Sequence, residues 1–186
     1  MKYINRITAY FVLCFILAMC IDIGPAFGLS NEEIFRWVSR QLKIEGKYPM
    51  PRVNFVSLPE LQAVFKKRST RSIKRLTAEN GEKKAEEILG KYLRDVIGLF
   101  VPETEKLYVG RFLKPFQRKA IVAHEFTHYF QLKRNGPVDP ESMDAAMKHL
   151  FNEMQASKVE KEFKEVYAGD FNQDGKMISL LKEAFE

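Results

Sequence analysis

Cysteine is almost missing from this chain. Of 186 residues only Cys14 and Cys20 carry a thiol, and both sit near the N-terminus. If that end is removed, nothing remains to form a disulfide, to ligate a metal through sulfur or to act as a thiol latch. That usage is consistent with export to an oxidising compartment without requiring it. Internal repeats and low-complexity tracts are also lacking. The chain carries a net charge of +6, yet it has no basic segment interleaved with aromatics, so nucleic acid is excluded as the expected partner. The excess instead suits work near an anionic cell envelope.

There is one long apolar run, Ile7 to Ile23, broken by Thr8 and Asp22. It is short for a membrane span of about 20 residues. Lys2 and Arg6 precede it, and Ala26-Phe27-Gly28 offers small residues where a signal peptidase reads. The pattern predicts a signal peptide over 1–28, a single domain over 29–186, and a secreted or periplasmic product. A retained anchor over 7–23 is the rival. Cys20 hints at a lipoprotein box, but Met19 fits poorly before a lipidated cysteine.

With 46% hydrophobic residues the chain can build one core. Ser30-x-x-Glu33 is a capping box that predicts an amphipathic helix over 31–43. A short strand is expected at Val53–Val56, and Ser57-Leu58-Pro59-Glu60 starts a helix through Phe65. Residues 66–75 hold six basic side chains and almost no apolar periodicity, which predicts a solvated connection. A charged helix over 82–95, a β-hairpin from Val96–Val101 and Lys106–Val109, and a long apolar helix over 116–134 follow. Asn135-Gly136-Pro137 ends that helix, and Asp139-Pro140-Glu141 caps another that runs to about Tyr167. The expected fold class is α+β, mostly helical, with a small sheet or hairpin beside the apolar helix.

That apolar helix contains His124-Glu125-Phe126-Thr127-His128, an H-E-x-x-H motif. Histidines four apart project from nearly one side of a helix, so both imidazoles can reach a single zinc ion. Glu125 is offset by roughly 100°, where it can take a proton from a water that the ion activates. Two of the chain's three histidines fall in this spacing, on a stretch too apolar to carry idle polar groups.

A catalytic zinc generally takes three protein ligands. The continuation H-x-x-G-x-x-H of metzincins is absent, because Gln131 and Arg134 stand at those positions. The third ligand is expected from the next helix, where an apolar stripe runs Met143, Met147, Leu150, Met154 with Glu153 at its border. Glu153 and His149, one turn apart, are both candidates, and Glu153 reads equally well as a solvated glutamate.

The stretches IVAHEFTHYFQ and NEMQASKVEKEF resemble the gluzincin branch of metallopeptidases. More closely, the chain resembles small secreted bacterial H-E-x-x-H proteins, through VNFVSLPEL, GLFVPETEKLYVG and a Glu-x-x-Ala helix, over about 30–166. The resemblance implies a compact zincin-like domain with zinc held by His124, His128 and Glu153, and peptide or protein as substrate. In several gluzincins an aspartate four residues after the ligand glutamate orients a histidine. Here that position holds Ser157.

On this reading Glu125 is the general base, and the strand Lys106–Val109 forms the cleft edge to which an extended peptide adds. Tyr108, Tyr129 and Arg111 are candidates for contacting substrate or oxyanion. Asp170-Phe171-Asn172-Gln173-Asp174-Gly175 matches the first half of a calcium loop, but its twelfth position is Leu181 rather than a carboxylate. Three other functions compete: a non-catalytic zinc-stabilised binding protein, a zinc amidase acting on cell wall, and an envelope-binding protein that works through 66–75.

Overall fold

The computed structural model describes residues 29–137 and 145–185, with no description of the side chains at 146 and 168–185. The expected signal peptide, the retained-anchor alternative and the cap at Asp139 lie outside those residues. Among the described residues no helix is long and apolar enough to cross a membrane.

The described residues form six helices and three strands: α1 (Asn31–Gln41), β1 (Arg52–Val56), α2 (Leu58–Arg68), α3 (Thr70–Asn80), α4 (Glu82–Asp95), β2 (Gly98–Val101), β3 (Lys106–Gly110), α5 (Pro115–Asn135) and α6 (Ala145–Phe185). The fold is α+β and mostly helical. Both expected capping boxes are present. Glu33 accepts from the Ser30 N–H at 2.7 Å while Ser30 Oγ accepts from the Glu33 N–H, and Glu60 accepts from the Ser57 N–H at 2.7 Å.

The sheet order is β1-β3-β2, with β1 parallel and β2 antiparallel to β3. β3 is therefore the middle strand, and the sheet edge assigned to it above belongs to β2. The reason is that β1 returns to pair with β3, Val53 opposite Leu107 and Phe55 opposite Val109. A hairpin read alone gives no notice of that long-range pairing.

Residues Ser30–Ala168 make one compact unit. Its centre is α5, which packs on the sheet at β2 and β3 and on α1. From α1, Ile34, Trp37 and Val38 are buried, and Phe35 stacks against Phe130 at 4.7 Å and meets Phe126 edge-on at 5.1 Å. From α6, Ala156, Val159 and Phe163 are buried, and Phe163 meets Trp37 at 5.3 Å. Each large apolar side chain so buried contributes about 1.5–3 kcal/mol.

Three expectations are corrected. Residues 66–75 are helix, not an irregular connection, forming the end of α2 and the start of α3. No proline or glycine interrupts them, and Arg75 pairs with Glu79 one turn on. The apolar stripe on α6 does not form its packed face: Met147, Leu150 and Met154, with the neighbouring Phe151, are all more than half exposed, and Met143 lies outside the described residues. The inward face is instead the one carrying Glu153, Ala156 and Glu160. The backbone of 170–181 is helical throughout, so it forms no calcium-type loop.

Candidate metal and catalytic site

Helix α5 fixes the two histidines rigidly. Pro115 opens it, Gly136 at φ 70° closes it, and Ala120–Ala123, Phe126, Thr127, Tyr129 and Phe130 are buried around the motif. His124 and His128 bring their Nε2 atoms to 3.1 Å from each other. From α6, the Glu153 carboxylate stands 3.6 Å from His124 Nε2 and 3.4 Å from His128 Nε2. These three side chains form a group that could hold one metal ion. His149 does not join it: its Nδ1 lies 3.8 Å from Glu153 and its side chain is 75% exposed.

Both imidazoles are oriented from behind. His124 Nδ1 is 3.1 Å from Glu160 Oε2. A carboxylate can only accept, so Nδ1 carries a proton, which leaves Nε2 as the atom that offers a lone pair to a metal once its own proton is released. His128 Nδ1 is 2.9 Å from Gln131 Oε1, while Gln131 Nε2 donates to the Asn152 carbonyl at 2.9 Å and to Gln155 Oε1 at 3.0 Å. Those two acceptors set the amide so that its oxygen faces His128, and the same tautomer follows. No buried polar side-chain atom among the described residues lacks a partner.

The sequence reading missed Glu160 and Gln131. It looked for an orienting carboxylate four residues after Glu153 and found Ser157. The group that does the work stands seven residues on, two turns along the same face. Gln131 entered only as a mismatch to another motif, although it lies one turn beyond His128 with its side chain available to that ring.

Glu125 packs against β2. It is 6% exposed, and the Phe100 backbone N–H donates to its carboxylate. Gly98 makes room for it: a Cβ there would stand 2.6 Å from Glu125 Oε1 and 2.4 Å from Ile121 Cγ2. Just before β2, the Ile97 carbonyl accepts from the Gly110 N–H. Residues 97, 99 and 101 thus bond toward β3, and the backbone groups of Gly98 and Phe100 point to the open edge. The general-base candidate is set against that edge.

The electrostatics follow from the geometry. Burial alone would lower His124, but the hydrogen bonds to Glu153 and Glu160 and the nearby Glu125 charge outweigh it and push His124 up to about 10. Burial likewise opposes the charged form of His128, and Glu153 reverses the balance and raises it. Hydrogen bonds from His124 and His128 hold Glu153 well below the usual carboxylate range. Burial raises Glu125, with His128, His124 and the Phe100 N–H pulling the other way.

Two of the three substrate-contact candidates have other duties. Tyr129 is fully buried and its hydroxyl donates to the Pro49 carbonyl at 2.6 Å. Arg111 donates to the Phe55 carbonyl at 2.9 Å. Tyr108 alternates with the buried Leu107 and Val109, so it points to the opposite face of the sheet from theirs. No protein-family model, curated protein or solved structure matches this chain.

Proposed function

We propose that the protein is a zinc-dependent hydrolase that cleaves peptide bonds, with His124, His128 and Glu153 as ligands and Glu125 as general base. One observation carries the reading. Donor atoms around a tetrahedral zinc, bonded at 2.0–2.1 Å, lie roughly 3.3–3.4 Å apart. Here the two Nε2 atoms are 3.1 Å apart, Glu153 Oε1 stands 3.4 Å from His128 Nε2 and Glu153 Oε2 stands 3.6 Å from His124 Nε2, so two helices bring the groups to nearly that spacing, with both Nδ1 atoms already committed to acceptors. A nitrogen–nitrogen–oxygen set of this kind suits zinc.

Zinc bound there supplies Lewis acidity and a water made acidic enough to attack near neutral pH. The chain's own residues do the rest. An extended peptide aligns on the outer edge of β2, where Gly98 presents main-chain groups. Glu125, beside that edge, accepts the proton of the attacking water and returns it to the leaving amine. Burial favours its protonated form, the direction needed in a group that takes up a proton and later returns it. Glu160 and Gln131 hold the imidazoles so that no reorientation is needed during turnover. The Lys2–Gly28 pattern supports action outside the cytoplasm after leader removal.

The test is Glu125→Gln in the zinc-loaded protein, assayed on casein and on purified cell wall. Hydrolysis is expected to fall by about 10²–10⁴-fold with zinc content unchanged by elemental analysis. A purely structural zinc protein would lose nothing, and cleavage of cell wall alone would make it an amidase.

A further inference from the structure

The outward carbonyl of Phe100 is already taken. Arg68, at the end of α2, donates to it from a guanidinium nitrogen at 3.0 Å. The N–H of the same residue binds Glu125. Guanidinium and candidate base are thus joined through one residue of extended backbone, roughly 3.5 Å of chain. A neutral peptide strand adding to β2 would need that carbonyl for its own N–H. Arg68 offers donors in its place: a guanidinium has five N–H groups in a planar fork that matches a carboxylate.

A second observation points the same way. Residues 61–78 hold Lys66, Lys67, Arg68, Arg71, Lys74 and Arg75 and no aspartate or glutamate. They form the corner between α2 and α3, which carries net positive charge, with Arg68 against β2 and Arg75 paired to Glu79. Such a corner attracts anions and repels basic peptides.

We propose that Arg68 is the specificity determinant of the site and selects substrates bearing a carboxylate within two residues of the scissile bond. This rests on the hydrolase reading above. The carboxylate is either the free C-terminus of a short peptide or an acidic side chain.

A dansylated Gly-Phe-Ala tripeptide in three versions separates these sources: the free acid, the amide, and the amide with aspartate replacing alanine. Binding is followed by dansyl fluorescence on the zinc-loaded Glu125→Gln protein, so no turnover is needed. The better of the two carboxylate versions should bind about 10-fold or more tighter than the neutral amide. Which of them it is names the source. Arg68→Gln keeps a donor for the Phe100 carbonyl but removes the charge, and it should abolish the preference while thermal unfolding stays unchanged. Arg68→Lys should restore part of it, and added salt should shrink it.

Equal binding of all three versions, absence of binding by either carboxylate version, or a preference that survives Arg68→Gln overturns the proposal. Hydrolysis of the same tripeptides by the parent protein scores the hydrolase reading separately.

Discussion

Nearly every residue of α5 from Ala120 to Gln131 is buried, whereas a full stripe of α6, Met147, Leu150, Phe151 and Met154, lies in solvent. Both helices supply groups to one site, yet they are held in different ways. α5 is surrounded by the sheet and α1, so His124, Glu125 and His128 have no alternative placement. α6 is fixed in this unit by a narrow strip, Ala156, Val159 and Phe163, and by the polar contacts of Glu153, Glu160 and Gln155. One helix is positioned by packing. The other depends on the site it helps to build.

The comparison can be broken at its strong end first. Phe126→Ala, in the fully packed α5, is expected to cost about 3–5 kcal/mol in denaturant unfolding and to lower zinc content with it. A small loss would mean that α5 is not the anchor. Next comes the contact by which α6 orients α5's histidine. Glu160→Gln should weaken zinc binding by about 10–100-fold in a chelator competition, while Ser157→Ala leaves it unchanged.

The pH dependence sharpens the same point with a smaller effect. In metal-free protein His124 is raised from 6.5 to about 10. Its contribution to stability is therefore complete below 6.5 and lost as pH rises through about 10. The depressed Glu153 and Glu160 contribute above 4.5 and are lost on acidification. Chelator-treated protein should thus lose thermal stability between pH 7 and 10, and zinc-loaded protein should not. At neutral pH, zinc uptake should release a proton from His124, read by calorimetry in two buffers of different ionisation enthalpy. The weakest effect is expected on the exposed stripe, where Met154→Gln should change unfolding free energy by no more than about 0.5 kcal/mol.

Much of the architecture was readable in advance because local signals set it. Capping boxes, prolines at first turns and Gly136 marked the starts of α1, α2 and α5 and the end of α5 to within a few residues, and the hairpin followed from its turn, whereas α3 went unread and α6 runs to Phe185 instead of ending near Tyr167. The motif histidines were readable for the same reason, since four-residue spacing is a property of one helix. What escaped needed contacts distant in sequence. The pairing of β1 with β3 decides which strand is the edge, and the polar demand of two imidazoles decides which face of α6 turns inward. Apolar periodicity on α6 pointed to the methionines. It could not register that two buried histidines favour the glutamate-bearing face.

Gly98 ties the sheet to this chemistry. Any side chain there would collide with Ile121 and with the carboxylate of Glu125, so the hairpin cannot be treated as interchangeable scaffolding. A designer who grafts this helix pair onto another strand must carry over the single residue that has no side chain, or else displace Glu125, the proposed proton acceptor, while leaving His124, His128 and Glu153 where they are.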